Sequence, residues 1–259
     1  MTCSAEPTFR RVAFTHFVPS LFLGVLSLYL LRYTLPPLDL RSLLDGEIDG
    51  ADVAVSLANG ALVALLMALY HWRIKSRARS RSWQTGACYG PRVLLYRMIV
   101  GFTAGVSDIL FGLRSEGILL LTCVVLIILF GHLRLFAQYL TRILRPGNNA
   151  TWVDVAELAR IYLTMLAGFT LVNASLEVLH IMLDVARPFQ FGYAASELFL
   201  DSLYYTVVSM TTLGFGDIVP VTWDGKLMLI LQSMVSYVMF GLMIGIITRG
   251  VSGGDASEG

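Results

Sequence analysis

The residues best suited to chemistry lie in one short stretch, from Thr211 to Pro220, which reads Thr-Thr-Leu-Gly-Phe-Gly-Asp-Ile-Val-Pro. It holds two glycines separated by one residue, Gly214 and Gly216, followed by the acid Asp217. Glycine reaches positive φ without steric cost, so this pair permits a main chain whose angles alternate in hand. A Gly-x-Gly pair alone is a weak signal, because polar turns and dinucleotide-binding loops use it too. Its meaning therefore depends on the elements around it.

The composition is that of a protein that resides in lipid. Of 259 residues, 56% are hydrophobic and 14% are charged, and the mean hydropathy is +0.70. A net charge of +1 gives no field to attract nucleic acid, so we expect no nucleic-acid partner. Cys3, Cys88 and Cys123 are odd in number and lack metal spacing, which is typical of free thiols. His-rich metal spacing, a nucleophile elbow and a phosphate loop are absent from the sequence, so we predict that the chain is not an enzyme.

Six apolar runs are long enough to cross a bilayer, which needs about 20 residues for about 30 Å of hydrocarbon. The first follows Arg10 and Arg11, but it is too long for a signal peptide and no Ala-x-Ala site follows it, so we interpret it as a retained anchor. The weakest run contains Arg97 and Asp108, and a central charge costs about 2.5–3.5 kcal/mol on insertion scales. The runs are 12–35, 51–72, 93–113, 117–139, 155–182 and 226–248.

Basic residues in the loops indicate the orientation, since cytoplasmic loops are enriched in Lys and Arg. The first loop carries four acids against the single Arg41, which suits the outside, whereas the second carries five basic residues between 73 and 81. Arg134, Arg142 and Arg145 place the fourth loop inside and act as anchors. We therefore predict a multi-pass protein of the cell membrane with both termini in the cytoplasm.

A short helix is predicted directly before the glycine pair. Ser196 is suited to cap it, Glu197 stands beside the cap, and the helix continues to Ser209. About thirteen residues are too few to span a bilayer, and the loop that follows has no helical or strand pattern. Irregular backbone at membrane depth is tolerated only where it is buried in protein or lines a water-filled path. The helix and the loop are therefore predicted to be re-entrant.

Residues 212–217, Thr-Leu-Gly-Phe-Gly-Asp, resemble the signature of tetrameric potassium channels, most often Thr-Val-Gly-Tyr-Gly-Asp, and residues 155–250 are similar to that family's pore domain. The resemblance implies an all-α membrane protein with six transmembrane helices, and a re-entrant pore helix and selectivity-filter loop between the fifth and the sixth. It implies passive, potassium-selective conduction, with K⁺ as the permeant ion and no cofactor. In the implied filter, the carbonyls of the first four residues and the Thr212 hydroxyl bind K⁺. The filter residues are Thr212, Leu213, Gly214, Phe215 and Gly216.

Some positions depart from the family pattern. Phe215 replaces a tyrosine whose hydroxyl braces the filter, and Leu213 replaces valine or isoleucine. A non-selective or Na⁺-permeable cation channel therefore stays an alternative, and a membrane enzyme or a scaffold is the alternative of another class. Val208 stands where some members hold a carboxyl partner of the acid. The residues expected to support the filter are Thr211, Asp217 and the aromatic pair Tyr204 and Tyr205, which could form a cuff behind it.

One chain carries one such loop, whereas a ring of carbonyls around an ion requires several copies. The family's solution is four, so the resemblance implies a homotetramer surrounded by membrane lipid. The sixth span would line the inner pore. Its Gly241 and Gly245 could be hinges for opening, although small residues four apart serve helix packing equally well.

The sequence predicts three regions. Residues 1–145 form a four-helix region, 146–250 the pore domain with its outer helix, pore helix, filter and inner helix, and 251–259 a flexible tail. A voltage sensor needs Arg or Lys at every third residue of a spanning helix, but the fourth span has no charge from 117 to 130. We therefore predict weak or absent voltage dependence.

Four other titratable residues have open interpretations. Asp108 could be an acidic site of a sensor, a proton site, or an outer-end charge that reaches the lipid headgroups, and the last is the simplest. Glu177, His180 and Asp184 lie three or four residues apart, so they could share a helix face as a pH-sensing cluster. A polar surface rim is the simpler interpretation of these three.

Overall fold

The computed structural model describes residues 7–31, 50–80, 90–111, 115–143, 152–192 and 195–249. These residues form seven α-helices and contain no β-strand. The helices are α1 (Phe9–Leu31), α2 (Gly50–Ser80), α3 (Pro91–Leu110), α4 (Ser115–Ile143), α5 (Trp152–Met182), α6 (Ala195–Met210) and α7 (Trp223–Arg249). The described part of the chain is therefore all-helical, as predicted.

Six of these helices, all except α6, are long and apolar enough to cross a membrane. They correspond one to one to the six predicted runs, including the weak run with its two charged residues, so the predicted number of candidate spans is confirmed. α6 has 16 residues and is about 24 Å long at about 1.5 Å per residue, which is short of the hydrocarbon thickness. α2 continues past its apolar run to Ser80 because Arg and Lys, which fill its basic end, are good helix formers.

The structure divides into two compact units. The first contains α1, α2, α3 and the start of α4, and glycines let the backbones of α2 and α3 approach closely. A Cβ built on Gly105 would lie 2.9 Å from the Cα of Gly60. Nearer the start of α3, Arg97 Nη1 lies 3.2 Å from His71 Nδ1. Arg97, one of the two charged residues that weakened this predicted span, is thus held against the neighbouring helix α2.

The second unit contains the rest of α4 together with α5, α6 and α7. α4 packs on α5 where Gly168 leaves room for Leu129, since a Cβ at Gly168 would lie 2.4 Å from the Leu129 Cδ2. The Ser202 hydroxyl of α6 donates to the Thr170 carbonyl oxygen of α5 at 2.6 Å. The short helix is therefore fixed to the long one beside it by a buried hydrogen bond.

Several predicted features lie outside the described residues or on side chains that are not described. Cys123 forms no disulfide with the residues that the structure describes, and the free state of the three cysteines stays a prediction. The predicted boundaries of the three regions and the orientation of the termini stay predictions. The features outside the description are the loop 32–49, Cys3, Cys88, Arg145, the tail 251–259 and the side chains of Arg142 and Ser196.

Candidate functional site

The stretch that holds the glycine pair begins at the C-terminal end of α6 and folds back onto it. The Thr211 amide donates to the Val207 carbonyl oxygen at 2.9 Å. The amides of Leu213 and Gly214 both donate to the Val208 carbonyl oxygen, at 3.1 and 3.4 Å. Carbonyls in the last turn of a helix lack partners within the helix, and here the stretch supplies them. Its first amides are therefore oriented toward α6.

Every second residue of the stretch has positive φ: 60° at Thr212, 54° at Gly214 and 77° at Gly216. The two glycines carry the alternation that their residue type permits. Thr212 takes part as well, although a β-branched residue in this region is strained by about 1–3 kcal/mol. In the described part of the chain, no hydrogen bond ends on a main-chain carbonyl of residues 212–215. These carbonyls are thus left for partners other than this chain's own amides.

The two large apolar side chains beside the glycine pair are exposed. Leu213 is 60% exposed and Phe215 is 66% exposed. A Cβ built on Gly214 or Gly216 would meet no atom of the described part of the chain within 4 Å. A substitution at either glycine is therefore opposed by the backbone conformation and not by crowding within the chain.

Asp217, at the end of the stretch, has a partner that sequence reasoning missed. The Tyr204 hydroxyl donates to Asp217 Oδ2 at 2.6 Å, and the Ile218 amide donates to Oδ1 at 3.0 Å. The Tyr204 hydroxyl lowers the pKa of Asp217 below its ordinary value, and the same hydrogen bond raises the pKa of Tyr204. The residue type gave a signal, since tyrosine has a polar tip, but the aromatic pair was assigned only a packing role.

The second tyrosine of the aromatic pair has different neighbours. Tyr205 is buried, and its ring centroid lies 4.9 Å from that of Phe189 and 6.1 Å from that of Phe191. Burial raises the pKa of Tyr205 to about 12. The Thr211 hydroxyl donates back to a carbonyl of α6 at 2.7 Å. Tyr205 and Thr211 thus stabilise α6 and its surroundings, whereas Tyr204 reaches the end of the stretch; the predicted cuff stays a prediction.

A buried carboxylate organises the segment between α5 and α6. Glu177 is 0% exposed, and its Oε1 accepts hydrogen bonds from Arg187 Nε at 2.7 Å and from the Phe191 amide at 3.1 Å. Its Oε2 accepts one from the Phe189 amide at 2.9 Å. A buried charge persists when it is paired and hydrogen-bonded, and this one is both. The interpretation of Glu177 as part of a polar surface rim was therefore wrong.

His180 and Asp184 do not join Glu177 in one cluster. His180 Nε2 lies 2.8 Å from Asp224 Oδ2, and its Nδ1 lies 2.6 Å from the Ala186 carbonyl oxygen. Asp184 is exposed in a turn with φ of 52°. His180 therefore connects the end of α5 to the start of α7. Within the described ranges, no group of three or more His, Cys, Asp or Glu side chains could hold a metal ion.

Buried polar side chains also join α5, α6 and α7. Asn173 Nδ2 donates to Thr206 Oγ1 at 3.0 Å and to Gln232 Oε1 at 3.1 Å, and all three residues are fully buried. One turn further along α7, the Ser236 hydroxyl donates to the carbonyl oxygen of Met210, the last residue of α6. Sequence reasoning missed this network because its members lie on three separate apolar helices.

The two candidate hinge glycines lie in an unbroken helix. α7 runs from Trp223 to Arg249, and a Cβ at Gly241 or Gly245 would meet no atom of the described residues within 4 Å. Neither glycine is therefore required for packing within the chain. A row of exposed residues three or four positions apart lies on the same helix: Ile230, Met234, Tyr237, Gly241 and Ile244. The hinge assignment stays a prediction.

Residues 163–252 match the family model described as ion channel. The match begins in α5, covers all of α6 and the glycine-pair stretch, and ends just beyond α7. This segment is similar to the pore of potassium channels. The predicted family resemblance is thereby confirmed, and the similarity is to channels and not to enzymes.

Individual relatives support the same family through short matches. A protein of Rhodopseudomonas palustris, named as a candidate potassium channel, is 30% identical over 90 residues, which is 35% of this chain and 20% of that protein. Potassium voltage-gated channel subfamily KQT member 1 of Xenopus laevis is 38% identical over 68 residues, 26% of this chain and 10% of that protein. Human KQT member 3 is 32% identical over 56 residues, 22% of this chain and 6% of that protein. The chain thus matches a fifth or less of each relative's length. No solved structure gives a significant match.

Proposed function

We propose that this chain is one subunit of a homotetrameric, potassium-selective channel that conducts K⁺ passively across the cell membrane. The observation that carries the proposal is the main chain of residues 212–216. Its φ angles are positive at every second residue, its first three amides donate to carbonyls of α6, and its carbonyls accept no hydrogen bond in the described part of the chain. A row of free carbonyls is the ligand set that replaces the water shell of K⁺ in a selectivity filter.

In the proposed mechanism, α6 is the re-entrant pore helix and the stretch after it is the filter. K⁺ sheds water into the carbonyls of Thr212, Leu213, Gly214 and Phe215, with the Thr212 hydroxyl as a further ligand. The C-terminal dipole of α6 favours a cation at the inner side of the filter. Ions in neighbouring sites repel one another, so each arriving ion drives the next one out.

The proposed assembly of four subunits is supported by the carbonyls and apolar side chains that a single chain leaves exposed. One chain supplies one carbonyl row, and an ion in the filter must be surrounded. The exposed row on α7, defined above from Ile230 to Ile244, is apolar, as are Leu213 and Phe215. In four copies around an axis, such surfaces would contact neighbouring subunits or line the pore. Lipid would contact the remaining apolar surface, and both termini would lie in the cytoplasm.

The experiment is ion flux through the purified full chain in liposomes. Gly214→Ala and Gly216→Ala should abolish selective K⁺ flux while leaving membrane insertion intact, because alanine resists φ values of 54° and 77°. Gly50→Ala is the matched control, since Gly50 has no crowded Cβ position and starts a helix of the other unit. Unchanged selectivity in either filter variant would refute the filter assignment, and chains that stay monomeric in membranes would refute the assembly.

The departure from the family pattern at Phe215 calls for a test of the alternative function, a cation channel that also passes Na⁺. Phe215 lacks the tyrosine hydroxyl, and its ring is exposed on the single chain, so this side chain gives the filter no brace from within its own subunit. Reversal potentials under opposed K⁺ and Na⁺ gradients separate the two readings. A reversal potential near the K⁺ equilibrium value supports selectivity, whereas one between the two equilibrium values identifies a cation channel that also passes Na⁺.

A further inference from the structure

A carboxyl group of the first unit lies between three helices. Asp108, near the end of α3, packs against Gly24 of α1 so closely that a Cβ built on Gly24 would lie 1.7 Å from Asp108 Oδ2. From α2, Asn59 Nδ2 approaches the same oxygen at 3.5 Å. The other oxygen, Oδ1, is buried and has no hydrogen-bond partner among the described residues. The carboxyl therefore points into the helix contact and not out toward lipid headgroups, which was its simplest interpretation from sequence.

The polar atoms around this carboxyl have too few protons for their acceptors. Asn59 Nδ2 also donates to the Gly105 carbonyl oxygen at 2.9 Å, and that is its best hydrogen bond. The Ser27 hydroxyl lies 2.6 Å from Asn59 Oδ1 and 2.8 Å from the Gly24 carbonyl oxygen, yet it has one proton for both. The second proton of the Asn59 amide is thus the one donor of this group that reaches Asp108. Asp108 Oδ1 receives none, and Oδ2 receives one long contact.

No positive charge compensates an ionised carboxylate at this place. Gly24 of α1 and Asn59 of α2 contact it, Ser27 of α1 contacts Asn59 in turn, and none of the three is charged or titratable. No charged group of the described residues acts on the carboxyl. Ionised carboxylates in a membrane interior normally pair with a cationic partner, because an uncompensated one costs about 2.5–3.5 kcal/mol even on the mildest scales.

We propose that Asp108, Asn59 and Ser27 form a membrane-embedded proton-binding site in the first unit. The bound proton converts Asp108 to a neutral carboxylic acid, supplies the missing donor at Oδ1 and removes the uncompensated charge. Asn59 positions the carboxyl through Oδ2, Ser27 orients Asn59, and Gly24 provides the space. The site is separate from the filter, and it gives the first three helices a ligand of their own whether or not the pore proposal holds.

Infrared spectroscopy of the full chain in lipid bilayers tests this proposal near neutral pH. Wild type should show the carbonyl stretch of one protonated carboxylic acid per chain, and Asp108→Asn should lose it. Glu116→Gln, which removes an exposed carboxylate at the start of α4, should keep it. Asn59→Leu should shift the band without removing it, because the contact to Oδ2 is lost.

A measurement on the unchanged chain protects the test against variants that fail to fold. Labelling with carboxyl-¹³C aspartate should move the band, whereas labelled glutamate should not. Absence of the band in wild type near neutral pH would overturn the proposal, as would its persistence in a folded Asp108→Asn chain. A band that disappears when Na⁺ or K⁺ is added at constant pH would also overturn it, because the site would then hold a metal cation in place of the proton.

Discussion

Replacing Glu177 by Gln should destabilise the second unit severely while changing the side-chain volume little. Glu177 accepts three hydrogen bonds, from Arg187 and from the amides of Phe189 and Phe191. Glutamine keeps one acceptor oxygen, but its NH2 group replaces the other oxygen. That NH2 group is a donor and would face the N–H groups that now donate to Glu177. The partly buried guanidinium of Arg187, 15% exposed in its side chain, would then lose the carboxylate that it pairs with. The segment between α5 and α6 would lose the group that fixes its course.

The size of the stability loss follows from the guanidinium and the backbone amides that Glu177→Gln leaves without their acceptor. Breaking a buried ion pair by removing one partner costs about 3–5 kcal/mol, and an unsatisfied buried amide costs about 1–3 kcal/mol, but these terms overlap. We therefore expect a loss of about 3–5 kcal/mol in the free energy of unfolding. Glu157→Gln is the matched control on the same helix, because Glu157 pairs with Arg160 across a partly exposed surface. Such a pair contributes about 0–1 kcal/mol.

The assay is unfolding of the full chain by a titration of denaturing detergent in mixed micelles, followed by circular dichroism. Adding Arg187→Met to Glu177→Gln should recover about 0.5–3 kcal/mol relative to the sum of the single changes, because it removes the unpaired charge. Equal stability losses in Glu177→Gln and Glu157→Gln would refute the reasoning. A strictly additive double variant would show that the two side chains do not interact.

Three further predictions concern separate features. Tyr204→Phe should raise the pKa of Asp217 toward its ordinary value, so that protonation of this acid, followed by carboxyl-¹³C NMR, begins at higher pH than in wild type; an unchanged titration would mean that the hydroxyl does not stabilise the carboxylate. Gly24→Ala should destabilise the first unit by about 1–3 kcal/mol through overpacking on Asp108, whereas Gly50→Ala should not; equal unfolding curves for the two variants would contradict the close contact. Channel opening should change little with membrane potential in planar bilayers, and a steep sigmoidal rise in conductance would show that gating charges exist elsewhere in the chain.

Apolar length predicted the spans because a membrane imposes a fixed hydrocarbon thickness on every helix. The same argument indicated that α6, whose length falls short of that thickness, does not span, whereas the glycine-pair stretch after it was found from its residue types. It could not locate helix ends, since these depend on flanking residues that no longer contact lipid. α2 illustrates this point, because its basic residues beyond position 72 continue the helix to Ser80.

Partners of polar side chains were harder to predict because they depend on the path of irregular segments. The spacing of Glu177, His180 and Asp184 placed them near one another on α5, but stronger partners lie outside the helix. Arg187 and the amides of Phe189 and Phe191 reach Glu177 only because the segment after α5 folds back over it. Helix periodicity describes neighbours along one helix and carries no information on such a return.

The tyrosine pair makes the same point at the site itself. Their adjacency indicated a shared role, yet consecutive residues on a helix point about 100° apart. Tyr204 therefore reaches Asp217, while Tyr205 packs on Phe189. Which residue meets the acid was decided by the rotation of α6 about its axis, and that rotation is set by buried contacts with α5 and α7.

α7 divides its residues between two tasks. One side, with Gln232 and Ser236, is bonded to α5 and α6 and holds the subunit together. On the opposite side, Met234 and Tyr237 are exposed, and none of the residues that the structure describes covers them. In the proposed tetramer, cells that make altered and unaltered chains together would combine folded Tyr237 variants with normal subunits, and the joint complexes would be impaired. A change at Gln232 would be eliminated as misfolded protein and would merely halve the supply.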